Sequence, residues 1–167
     1  MTGNKPADCK KQAKRIEKEQ RPHFEEGWKP KTLDSPSTLY RLIPETSYNP
    51  KSKRIDRNVF EDAGLSVIAS GGEFEEIDVK EKLAEANRDG DRKFVGAVKI
   101  DSAVFTSKAY GEFDIRHDPH PFEYRGEMKS QDANHVSILC VKPEEMVDMF
   151  VDSPDWVVKP EEPDQNS

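Results

Sequence analysis

Cysteine is scarce: the 167 residues hold two, Cys9 and Cys140. One lies in a basic N-terminal stretch and the other ends an apolar run. That excludes a disulfide framework, leaves Cys140 as a small buried hydrophobe, and fits a reducing, cytoplasmic setting. No stretch of about 18 apolar residues occurs, so no transmembrane helix is expected. The start, MTGNKPADCKKQAKR, is basic with no apolar run behind it, which argues against a secretory leader, and Asp8, Glu17 and Glu19 argue against a transit peptide. Hydrophobic residues reach only 34% while charged residues reach 35%. A modest core diluted by polar ends accounts for both. Neither G-x-G-x-x-G nor G-K-[ST] is present, and there is no internal repeat, so phosphate-loop and solenoid classes are excluded.

Charge is present in excess and is unevenly placed. Residues 1–22 carry +4 and residues 144–167 carry −7, which leaves −4 on 23–143 out of a total of −7. The chain thus has a basic head, a mildly acidic body and a strongly acidic tail. An acidic body repels phosphate backbones, which argues against a nucleic-acid partner. Lys10–Gln20 has good helix formers but only Ile16 as a large apolar residue, so any helix there lacks a face to bury. Pro22, Gly27, Pro30 and Pro36 mark the following stretch as linker, with Trp28 as the exception.

The hydrophobic pattern places a domain over residues 38–152, with a flexible basic arm and linker at 1–37 and an acidic tail at 153–167. Within the tail, only Trp156-Val157-Val158 is suited to packing back. Strands are expected at 38–44, 65–69, 94–100, 113–116 and 135–141. Residues 75–88 read as a helix, and Pro143 opens another whose Met146, Met149 and Phe150 form an apolar stripe. The expectation is an α+β fold: a small mixed sheet of about five short strands with two helices, a disordered basic N-terminal arm and an acidic C-terminal tail.

Chemistry concentrates between Gly111 and Leu139, which hold His117, His120 and His135, three of the four histidines. His117-Asp118-Pro119-His120 offers nitrogen and oxygen ligands, but a metal needs three or four converging groups. Side chains three apart on extended chain point to opposite faces. A shaped loop is therefore expected there, with no metal and no cofactor. His135-Val136-Ser137 resembles the His-x-Ser signature of the two-histidine phosphoesterases, but no other histidine is followed by x-[ST]. Arg41, Tyr48, Ser66 and Glu112 loosely resemble the NAD-binding set of ADP-ribosyltransferases. Gly71-Gly72 reads as turn chemistry. Arg54 and Arg57 belong to the one basic cluster inside the domain and suit an acidic group.

Phe60, Asp62, Leu65, Ser66, Val67, Asp118, Pro119, Pro121 and His135 together resemble the F-x-D-x-x-LSV, D-P-x-P and N-x-x-H strand pattern of an uncharacterised family of small bacterial cytosolic proteins. The resemblance covers about residues 54–139 and implies no activity. The loop between Pro121 and His135 is longer than in that pattern, and the N-terminal arm is extra. The leading expectation is a prokaryotic accessory or binding module that takes another protein or a small anionic partner. Its binding residues would be Arg54, Arg57, His117 and His120, with Asp118 and His135 fixing the loop or a ligand. The rival expectation is an enzyme on a phosphate ester or an NAD-derived substrate, with His135 as acid or base and Asp118 beside it.

Overall fold

The computed structural model describes residues 6–24, 29–33, 37–60, 64–89, 93–107, 113–117, 134–139 and 144–161. The elements are α1 (Pro6–Phe24), β1 (Thr38–Pro44), β2 (Tyr48–Asn49), β3 (Arg54–Ile55), β4 (Gly64–Ser70), α2 (Val79–Asp89), β5 (Phe94–Asp101), α3 (Ala103–Thr106), β6 (Asp114–His117), β7 (His135–Leu139), α4 (Glu144–Asp152) and β8 (Trp156–Val158). Single 3-10 turns follow β1 and β3. The fold is α+β, richer than expected: among the described residues there are eight strands and four α-helices rather than about five and two. No described helix is long and apolar enough to cross a membrane.

Six strands form one sheet in the order β6-β7-β4-β1-β5-β8, with every neighbouring pair antiparallel. β2 and β3 form a separate ribbon. Its turn is held by Asn49, whose Oδ1 accepts the amides of Lys51 and Ser52, while Lys53 sits at φ +59°. Asn is suited to this because its short side chain replaces a missing backbone partner. These short strands carry little hydrophobic alternation, which is why the pattern alone did not reveal them.

Side-chain alternation divides the sheet into two faces. Leu39 pairs with Ala69 and Ile100, and Val67 pairs with Val136, so these residues share one face. Against it lie Met146, Val147 and Phe150 of α4, with Phe60 and Phe105, in a single buried cluster. The Phe150 ring stands 5.3 Å from Phe60 and 6.2 Å from Phe105. Met149, expected in this stripe, is instead 40% exposed, because the buried positions of α4 are 146, 147, 150 and 151.

The other face carries Tyr40, Ile68, Ser137 and Arg116. Here the expected free arm is corrected. Residues 6–24 form a helix that lies against β7, and its Ile16 is fully buried. Arg116 on this face forms an ion pair with Glu17 at 2.8 Å, and Gln20 donates to the His117 carbonyl. One apolar residue per several turns is enough when the neighbouring contacts are polar and satisfied. Burying that isoleucine supplies about 1.5–3 kcal/mol.

The expected helix at 75–88 starts later, at Val79, because Asp78 caps it: Asp78 Oδ1 accepts the amides of Lys80 and Glu81. The tail boundary also moves. Trp156–Val158 is a strand paired with β5, and the Trp156 ring meets Tyr48 edge-on at 5.9 Å. Gly96 makes this approach possible: a Cβ there would stand 2.4 Å from the Val158 carbonyl oxygen and 3.0 Å from the Trp156 ring. Gly96→Ala should displace β8 and lower stability by about 1–3 kcal/mol. The check is Trp156 emission in a Trp28→Phe background, which should shift to the red. Unchanged emission and stability would count against the close approach.

Candidate functional site

β1, β4 and β5 bring polar residues together at one end of the sheet. Thr38 pairs with Ser70 on one side and Asp101 on the other, and Tyr40 pairs with Lys99. The run Val98-Lys99-Ile100-Asp101 alternates, so Lys99 and Asp101 leave the core face while Val98 and Ile100 stay on it. Over Thr38, Tyr40, Ser70, Lys99 and Asp101 opens a cleft of about 720 Å³.

One wall is the connection from β4 to α2, whose Gly71, Glu76 and Ile77 line the cleft. Gly71 and Gly72 have φ of +90° and +64°, conformations that glycine reaches without strain. The Phe74 amide donates to the Gly71 carbonyl at 3.0 Å, and the Ile77 amide donates to Ser70 Oγ at 3.0 Å. Buried Asn134 donates through Nδ2 to the carbonyls of Ala69 and Glu75, and its own carbonyl accepts the Ala69 amide. The wall is thus tied at both ends and in the middle, which keeps the cleft open in advance of any occupant. At the opposite rim, Asp155 accepts the Lys99 amide at 2.8 Å and faces its ammonium at 3.7 Å. Ser37 also lines the cleft, and its buried Oγ has no hydrogen-bond partner among the described residues.

Among the described residues, three carboxylates line the cleft, Glu76, Asp101 and Asp155, against one cation, Lys99. Asp101 Oδ1 also accepts the Ala103 amide at 2.9 Å. Among the described residues, the lining holds no histidine and no cysteine. The described lining thus presents hydroxyls and an excess of negative charge, with Ser70 Oγ held by the Ile77 amide.

The residues singled out in the sequence lie elsewhere. His117 is 6% exposed and joins three segments. Its Nδ1 accepts the Lys31 amide at 2.9 Å, its ring meets Phe74 edge-on at 5.2 Å, and its carbonyl accepts from Gln20. Next to it, Thr32 donates through both its amide and its hydroxyl to Glu73. Those hydrogen bonds hold the Glu73 carboxyl below its ordinary pKa. Arg116 is held above its ordinary value, first by its hydrogen bond to Asp114 and then by Glu17, against the opposing cost of burial. His117 therefore anchors residues 29–33 to the edge of the sheet.

His135 opens β7 opposite Ile68, and His117 lies opposite Val136, so the two histidines occupy opposite faces. Asp118 and His120 fall outside the described residues, so the expected pair of Asp118 with His135 does too. Arg54 pairs with Asp152 at 2.8 Å and Arg57 pairs with Asp148, both aspartates of α4. The acidic groups these arginines meet thus belong to their own chain. Arg41 sits on the core face, donating Nε to the Val59 carbonyl, while Ser66 sits on the other face opposite Ser137. Tyr48 is on the ribbon against Trp156. Arg41, Tyr48 and Ser66 do not converge, and Glu112 lies outside the described residues. Among the described residues, no group of three or more His, Cys, Asp or Glu side chains is placed to hold a metal ion.

Comparison with family models, curated proteins and solved structures finds no match.

Proposed function

We propose that this protein is a binding module, a prokaryotic cytoplasmic accessory protein whose partner is another protein, and that the cleft between Ser70 and Lys99 receives a cationic group of that partner. The cleft carries the reading. It offers about 720 Å³ with three carboxylates to one lysine among the described residues, and its wall is pinned by Ser70, Gly71 and Asn134. A guanidinium or ammonium entering it would gain charge-assisted hydrogen bonds, and the wall would not have to order first. An anion would meet Lys99 only alongside Asp155. The sign is therefore opposite to that expected from the basic cluster at Arg54 and Arg57, whose charges are already matched by α4.

The test is a titration of the labelled protein with Nα-acetyl-arginine amide, followed by amide chemical shifts. Shifts should centre on Ser70, Gly71, Lys99 and Asp101, and the double variant Asp101→Asn, Asp155→Asn should weaken binding by about tenfold or more. Nα-acetyl-glutamate amide should leave these signals in place. Scattered shifts, or equal response to both compounds, would overturn the reading. So would turnover of a phosphate ester that is lost in His135→Ala with the fold intact.

A further inference from the structure

β5 separates two recesses. Lys99 and Asp101 point into the acidic cleft, and the intervening Val98 and Ile100 line an apolar groove of about 170 Å³ on the other side. Val104, Phe150, Ser153 and Pro154 also line the groove. Met149 stands at its rim and is the only large hydrophobic side chain exposed among the described residues. A void of about 150 Å³ is enough for benzene, so the groove has room for one branched aliphatic or aromatic side chain. A methionine at the rim adapts its shape to such a side chain. Lys99, Asp101 and Asp155 border both recesses.

Between the recesses lies the end of β5 that extends beyond its pairing with β8. β8 pairs with Ala97 and Val98, and the Lys99 amide donates outward to the Asp155 carbonyl. Backbone groups alternate in direction along a strand, so Asp101, two residues on, turns its N–H to the same side, past the end of β8.

We propose that the end of β5 at Asp101, beyond its pairing with β8, docks an extended segment of another protein in which a large apolar residue and an arginine or lysine are immediate neighbours. This rests on the binding reading above and names the kind of partner. Consecutive side chains of an extended chain point to opposite sides, and a segment laid along a strand edge keeps that geometry. Such a segment sends one side chain into the groove and the next into the cleft. Glu76, Asp101 and Asp155 then meet the cation, while Val98, Ile100, Phe150 and Met149 cover the apolar group. The immediate adjacency of the two side chains follows from the strand lying between the recesses.

The experiment uses the full chain and four blocked peptides in calorimetric titrations. The parent is acetyl-Gly-Ser-Leu-Arg-Ser-Gly-amide. The others replace Leu by Ala, replace Arg by Glu, or insert Ser between Leu and Arg so that both side chains fall on one side. The parent should bind about tenfold more tightly than the Ala and Ser-inserted peptides, since each loses the apolar contact. The Glu peptide should not bind. Met149→Ser should weaken the parent peptide severalfold and leave the arginine-amide shifts unchanged. If arginine amide enters the cleft but the parent, Ala and Ser-inserted peptides bind equally, the groove has no part and the proposal is overturned while the cleft reading stands. If neither arginine amide nor any peptide binds, both are overturned. Spermidine binding more tightly than every peptide would assign the site to a small polyamine and also overturn the proposal.

Discussion

Phe60→Ala should cost about 3–5 kcal/mol, the usual range for truncating a fully buried aromatic. Phe60 is 0% exposed and its ring stands 5.3 Å from that of Phe150, which in turn approaches Phe105. The loss has two parts: the burial free energy of the ring atoms removed, and the cavity left beside Phe150 where the surroundings relax only in part. α4 also carries the exposed pairs Arg54–Asp152 and Arg57–Asp148. Those exposed pairs are each worth under about 1 kcal/mol, so they orient the helix without compensating for the cavity. Urea denaturation read by circular dichroism measures the effect. Phe60→Leu, which keeps most of the volume, should lose markedly less. A loss below about 1 kcal/mol for the alanine variant would mean that the Phe60–Phe150–Phe105 cluster is not the centre of the core.

Ile16→Asp should release α1 from the sheet. A carboxylate at a position with 0% exposure must either be neutralised or leave, and leaving is easier for a helix held by few apolar contacts. With α1 go the Arg116–Glu17 ion pair and the Gln20 donor to the His117 carbonyl. The expected loss is about 2–5 kcal/mol, limited from above by the energy of docking itself. Ile16→Val should cost only about 0.5–1.5 kcal/mol. Limited trypsin digestion separates the cases, because α1 is rich in lysine and arginine. Cleavage between Lys10 and Arg21 should be fast in the aspartate variant and slow in both the parent and the valine variant. Equal rates in all three would show that Ile16 does not hold the helix. The β1, β4 and β5 pairings do not depend on α1, so the shift response of the cleft to arginine amide should persist in Ile16→Asp.

The strongly alternating segments were legible. TLYRLIP, LSVIA, FVGAVKI and the run after His135 are strands within a residue or two of their expected bounds, and the helix after Pro143 is present. Local pattern failed where a partner supplies the missing half of an element. α1 has one large apolar residue in its middle and owes its place to the burial of Ile16 together with Glu17 and Gln20 meeting Arg116 and His117, about a hundred positions away. β8 has three residues and exists because Gly96 leaves room for it. The candidate site was missed for a similar reason. Lys99 lies inside the expected strand 94–100 and Asp101 falls one residue past its expected end, while Gly71-Gly72 reads as turn chemistry. Nothing local says that the turn faces those two residues across β4 and β1.

The histidine-rich segment shows the same division from the other side. Residue type drew attention to His117, because imidazole serves catalysis and metal binding more often than most side chains. Its surroundings give it different work: an acceptor nitrogen for the Lys31 amide and an edge for the Phe74 ring. The sequence by itself determined the α+β class, the strands that alternate and the helix that follows Pro143, because those depend on periods of two and 3.6 residues within one segment. Only the tertiary structure decided that the basic N-terminal helix docks, that Arg54 and Arg57 are matched within the chain, and that an acidic cleft and an apolar groove share the end of β5. Those depend on strand order and register, which join residues distant in sequence and leave no periodic trace in any one segment.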